Sequence, residues 1–206
     1  MTAQDLKETP SQTAGPYLHI GLSPSAAGFA PYAREFGQQI AGPDTPGRRI
    51  RIAGRIIDAD DTPVRDAIIE IWQADAAGIY PHPDDPRHAQ AAPGFTGFGR
   101  VACDFETGEW AFETIKPGSV EGPDGSPRAP NLNLWIVARG INLGLSTRLY
   151  FGDEEAANAT DPLLCAIAEP ARRATLIAAS TESGEVPAYR FDIRLQGEGE
   201  TVFLDI

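Results

Sequence analysis

Arg128-Ala129-Pro130-Asn131-Leu132-Asn133-Leu134-Trp135-Ile136-Val137 decides the fold. Apolar residues at 132, 134 and 136 alternate with their neighbours, the period of a β-strand with one face in a core. Side chains two apart on a strand point the same way, so Asn131 and Asn133 share the opposite face. Two histidines at that interval would read as metal ligands. Two carboxamides read more simply as hydrogen-bonding groups that satisfy each other and a nearby loop.

Strands of the same kind lie on both sides of this one. Ile50, Ile52, Gly54 and Ile56 alternate with Arg49, Arg51, Ala53 and Arg55, a half-exposed strand with a basic outer face. Residues 67–73 form a more continuously apolar run, and 98–104 with 110–114 read as a hairpin turned at Glu106-Thr107-Gly108. Short strands follow at 147–151, 175–179, 188–195 and 202–204. Thr160-Asp161-Pro162 reads as a helix start with Leu163, Leu164 and Ile167 as its buried side. Residues 30–36 read as a short helical turn. The 21 glycines and 18 prolines put turns between nearly all of these runs. The pattern predicts an all-β protein: a β-sandwich core of mostly antiparallel strands, an extended N-terminal arm and one or two short helices.

Gly42-Pro43-Asp44-Thr45-Pro46-Gly47 is a loop, and it divides the chain into an arm and linker, residues 1–47, and a sandwich domain, residues 48–206. The arm carries Thr9-Pro10-Ser11-Gln12-Thr13-Ala14-Gly15-Pro16-Tyr17, too rich in turn formers for a helix. It reads either as a strap packed on the body or as a loop in which Gly15-Pro16 holds Tyr17 in a site.

A formal net charge of −12 argues against nucleic acid or an anionic membrane as partner. No run is apolar for long enough to span a bilayer, and the first residues lack the apolar region of a secretory signal, so a cytoplasmic protein is expected. Cys103 and Cys165 are then two free thiols.

Three histidines, His19, His82 and His88, would suffice for a metal site only if they converged, and none stands at a ligand spacing from another. Phosphate loops, dinucleotide fingerprints and nucleophile-elbow motifs are absent from the sequence. Tyr80 follows a strand and a glycine in a stiff loop with prolines at 81, 83 and 86. It reads as a plug at the end of the sandwich or as a phenolate ligand to a hard cation.

Several segments carry a resemblance: 9–17; Glu70-Ile71-Trp72-Gln73-Ala74-Asp75-Ala76-Ala77-Gly78-Ile79-Tyr80; Thr114-Ile115-Lys116-Pro117-Gly118; Ala138-Arg139-Gly140-Ile141-Asn142; Arg148-Leu149-Tyr150-Phe151; and 189–203. In this order they resemble the intradiol ring-cleaving dioxygenases, and within that family the α subunits of its two-chain members. The resemblance implies a non-haem ferric ion held in the catalytic chain by two tyrosines and two histidines. Carried over, the first tyrosine is Tyr80. The second falls on Val120, the histidine pair on Asn131 and Asn133, and the preceding arginine on Arg128.

Three of the four ligand positions therefore lack a ligand of the family's kind, and this copy of the site is expected to be vestigial and to bind no metal. The resemblance further implies a homologous, iron-bearing β subunit as partner, several α–β pairs per enzyme, and a small aromatic substrate. The expected reaction inserts both atoms of O2 into 3,4-dihydroxybenzoate, giving 3-carboxy-cis,cis-muconate. On that reading Thr13, Gly15, Pro16 and Tyr17 line the partner's substrate pocket, and Arg139 attracts the substrate carboxylate or forms an ordinary salt bridge. Two other readings stay open: a stand-alone β-sandwich that binds a small aromatic or sugar without catalysis, and a self-sufficient metalloenzyme built on the histidines.

Overall fold

The computed structural model describes residues 12–15, 17–122, 125–142, 144–181 and 186–205. Its strands are β1 (Arg49–Ile57), β2 (Ile68–Trp72), β3 (Phe98–Ala102), β4 (Glu109–Ile115), β5 (Val120–Glu121), β6 (Pro127–Arg128), β7 (Asn131–Val137), β8 (Leu145–Phe151), β9 (Ile177–Thr181), β10 (Ala188–Arg190) and β11 (Ile193–Arg194). One sheet runs β11-β1-β10-β9-β8-β7-β2-β3, with β4 added on β1, and β5 pairs with β6 in a separate ladder. Pairing is mostly antiparallel; β1 with β10, β1 with β11 and β8 with β9 are the parallel contacts.

The alternation read in β1 and β7 is the alternation found. Ile50, Ile52 and Ile56 of β1 and Leu132, Leu134 and Ile136 of β7 are buried in one cluster with Ile69, Ile71, Trp110, Phe112, Leu149 and Phe151. The two halves of the continuous ladder thus face each other across a shared apolar layer, the arrangement of a sandwich. Burying these side chains contributes roughly 1.5–3 kcal/mol each.

Gly54 is required where β1 meets the chain after β10. A Cβ there would lie 1.8 Å from the Phe191 carbonyl oxygen. The same crossing interrupts the run expected at 188–195, which splits into β10 and β11 around Phe191 and Asp192. At the C-terminus the expected strand at 202–204 reduces to a single bridge between Leu204 and Ser146.

Helices are more numerous than expected: α1 (Leu18–Leu22), α2 (Glu155–Asn158), α3 (Pro162–Ala166) and α4 (Pro170–Ala174), each four or five residues long. The helical turn expected at 30–36 is not there. It lies earlier, in α1 and the 3-10 turn Pro24–Ala27. The sequence reading excluded a helix in the arm because of its turn formers, but these stop at Pro16 and leave Leu18–Leu22 room for one turn.

Helix α3 begins as read. Asp161 is its N-cap and accepts from the main-chain nitrogens of Leu163 and Leu164. The same carboxylate, fully buried, also accepts from Tyr150 Oη at 2.9 Å and from the Ala129 nitrogen at 3.0 Å. It therefore ties α3 and β8 to the entry of β7, the strand that carries the asparagines.

Candidate functional site

Two cavities collect the residues singled out from the sequence. The larger, of about 770 Å³, is lined by Trp72, Tyr80, His82, Asp85, Val120 and Arg128, among others. Tyr80 reaches it on a loop fixed by two aspartates. Buried Asp75 accepts from the main-chain nitrogens of Ala77, Ile79 and Ala92. Asp85 accepts from the Tyr80 nitrogen at 3.0 Å and is held in turn by Arg87. Gly78, at φ 74°, makes the turn, and a Cβ on it would lie 1.9 Å from the Ser119 carbonyl oxygen. The Tyr80 ring stacks on Trp72, with centroids 5.8 Å apart and planes within 15°.

The ladder of β5 and β6 sets Val120 opposite Arg128 on the rim. Behind Tyr80 lies β7. Asn131 is buried and donates from Nδ2 to the Ala129 carbonyl at 2.7 Å. Asn133 is hydrogen-bonded to Tyr80. Its Nδ2 donates to the Trp72 carbonyl at 3.4 Å, and its Oδ1 accepts from Arg148 Nε at 3.0 Å. Arg148 also hydrogen-bonds Tyr150.

Burial pushes the Tyr80 phenol above its usual range, against the opposing pull of Arg148, the Asn133 hydrogen bond and Arg128. The phenol therefore stays neutral at physiological pH. Tyr80, Val120 and Arg128 thus line one cavity, with Asn133 bonded to Tyr80 behind it, whereas Asn131 lies outside the lining and bonds Ala129. Arg148 is the residue that reading missed. It passed as part of a short strand, although an arginine between buried Thr147 and Leu149 of β8 asks for a partner.

The smaller cavity, of about 400 Å³, brings the arm to the body. Ala14, Gly15, His19, Phe29, Asp66 and Arg139 are among its walls. Thr13 Oγ1 accepts from the Gly140 nitrogen at 2.9 Å and so pins the arm to the turn that follows β7. Arg139 pairs with Asp66 at 3.2 Å while its own side chain stays 79% exposed, so it is a salt bridge and a cavity wall at once. Tyr17 is 78% exposed and lies outside the cavity lining. Pro16 lies outside the described residues.

The histidines do not converge. His19 lines the arm cavity, His82 the Tyr80 cavity, and His88 begins the 3-10 turn His88–Gln90. Among the described residues no group of three or more His, Cys, Asp or Glu could hold a metal ion, and no helix is long and apolar enough to cross a membrane.

A dioxygenase family model matches residues 22–197, and the chain belongs to the intradiol ring-cleaving dioxygenase family. Its relatives include the protocatechuate 3,4-dioxygenase alpha chain of Pseudomonas putida, 50% identical over the full length of both chains. The protocatechuate 3,4-dioxygenase beta chain of Burkholderia cepacia is 36% identical over 75% of this chain and 67% of its own. Among solved structures, the dioxygenase domain of a carbohydrate-binding fusion protein from Streptomyces sp. SirexAA-E superposes with a TM-score of 0.58 at 25% identity, over 95% of this chain and all of that domain.

Proposed function

We propose that this chain is the α subunit of a cytoplasmic protocatechuate 3,4-dioxygenase. It would work with a homologous β subunit in several α–β pairs to cleave 3,4-dihydroxybenzoate between its hydroxylated carbons. The observation that carries the reading is the state of Asn133. At a position where the family resemblance places a histidine ligand stands a carboxamide whose oxygen already accepts from the Arg148 guanidinium. With Val120 at the second tyrosine position and carboxamides at both histidine positions, the donor set does not fit ferric iron, which calls for anionic oxygen and imidazole donors. A fixed guanidinium beside the asparagine adds repulsion for any incoming cation.

The chemistry supplied by non-haem ferric iron, activation of the bound catecholate towards O2, is therefore assigned to the partner chain. This chain's share is the wall of the partner's pocket. Thr13, Gly15, Pro16 and Tyr17 form it, and Arg139 offers a charge for the substrate carboxylate. Exposed large apolar side chains line the arm cavity, namely Ile20, Phe29 and Phe105, and Tyr17 stands exposed at the start of α1. A patch of that kind marks a surface that another chain covers. Two unpaired cysteines, Cys103 and Cys165, accord with a reducing cytoplasm.

The stand-alone binding module is not favoured, since it leaves the full-length match to named α chains without a reason. The test is oxygen uptake with 3,4-dihydroxybenzoate. This chain without a β partner consumes none, and the co-expressed pair consumes one O2 per substrate. Uptake by this chain alone overturns the assignment.

A further inference from the structure

His19 sits where the arm, the Asp66 loop and the turn after β7 meet. Its side chain packs tilted on Phe105, with ring centroids 5.0 Å apart, and the residue is 8% exposed. Its Nε2 is buried without a hydrogen-bond partner. The same side chain lines the arm cavity with Gly15, Asp66 and Arg139. A leucine or phenylalanine would fill this place without an orphaned nitrogen, whose burial costs roughly 1–3 kcal/mol. An imidazole is therefore a costly choice for packing alone.

The charged groups around it set the terms. Helix α1 has none beside His19 itself. From the connection between β1 and β2 comes Asp66, and from the turn after β7 comes Arg139, and these two already pair. On the Phe105 loop, Asp104 is occupied by the main-chain nitrogens of Glu106 and Thr107 and by Thr107 Oγ1. Among the described residues Asp66 is thus the one carboxylate lining this cavity, and it serves Arg139. It cannot also neutralise an imidazolium without loosening that pair.

We propose that His19 is a positioning residue that couples the arm to the Asp66–Arg139 pair and makes the pocket wall sensitive to pH. Neutral, it leaves Asp66 to Arg139 and keeps Gly15 and Thr13 seated. Protonated by solvent, it draws on Asp66, frees Arg139 and unseats the arm. The inference rests on the reading that the arm walls the partner's pocket.

Burial holds the imidazole below its usual range, opposed by attraction to Asp66. The sign follows. The undocked arm takes up a proton first, so docking is fully present above the ordinary histidine range and is lost as pH falls through it.

The test uses the assembled α–β enzyme with 3,4-dihydroxybenzoate across the mildly acidic to neutral range. In the unaltered enzyme KM rises towards acid, approaching about tenfold per pH unit at the limit, while kcat and iron content hold. In His19→Gln this acid limb disappears, and KM at neutral pH stays within a few-fold of the unaltered value. In Asp66→Asn KM is raised at every pH. An acid limb that persists in His19→Gln overturns the proposal.

Hydrogen exchange over residues 12–15 and 17–22 of the unaltered complex needs neither a variant nor turnover. Exchange there accelerates, relative to the intrinsic rate, on moving from about pH 7.5 to about pH 5.5. Unchanged protection overturns the coupling. A complex that cleaves nothing at any pH would instead count against the function proposed above, and the exchange experiment still decides the role of His19.

Discussion

At the residue scale, the account turns on side chains that hold polar groups in place. Asp161 is the clearest case, because one buried carboxylate receives four donors from three parts of the chain. Asp161→Ala leaves the Tyr150 hydroxyl and the Ala129 nitrogen without their acceptor. It is expected to lower stability by roughly 3 kcal/mol, read as a lower denaturant midpoint with an unchanged slope. Its role as N-cap was legible from Thr160-Asp161-Pro162. Its bonds to Tyr150 and Ala129 were not, because they join residues 11 and 32 positions away and no local pattern records them. Tyr80 makes the opposite prediction. If the iron belongs to the partner as proposed, Tyr80 can be replaced: Tyr80→Phe leaves iron content and turnover of the α–β enzyme within about twofold, since it removes one hydrogen bond worth roughly 1 kcal/mol. A drop in iron per pair would show that Tyr80 is a ligand after all.

At the element scale, the strands were legible because period and burial agree. The alternation of Ile50, Ile52 and Ile56 and of Leu132, Leu134 and Ile136 is a statement about two faces, and the sandwich realises it. The short elements were not legible, because one turn of helix has too few residues to show a period, and Leu18–Leu22 carries no side-chain cap. The loop between β2 and β3 was read as stiff from its prolines, yet its conformation is set by Asp75, Asp85 and Gly78. Gly78→Ala places a Cβ against the Ser119 carbonyl at a positive φ, so it is expected to destabilise the protein by about 2 kcal/mol or more. The measurement is the thermal midpoint. The arm makes a functional prediction at this scale. Tyr17 stands exposed at the start of α1, clear of its own cavity, so Tyr17→Ala is expected to lower turnover of the complex severalfold with iron content intact. Unchanged kinetics would remove Tyr17 from the pocket wall.

At the scale of the whole molecule, the fold keeps the shape of a catalytic scaffold and gives its two polar neighbourhoods different work. Loop and strand bring Tyr80 and Asn133 together, but Arg148 occupies Asn133 there, and Asn131 turns to the Ala129 carbonyl rather than to Asn133 as the sequence suggested. At the arm, an exposed arginine and a cavity lined in part by exposed Ile20, Phe29 and Phe105 face outward instead. The sequence could indicate the first neighbourhood through the spacing of its asparagines. It could not show Arg148 paired with Asn133 on the neighbouring strand, nor that His19 joins Arg139, since those contacts depend on strand register and on where the arm docks. The central claim is that the iron site belongs to the partner and not to this chain, and metal analysis of the purified α–β complex tests it most directly. One ferric ion per α–β pair is expected. Two per pair would mean that this chain holds iron as well, and would contradict the account.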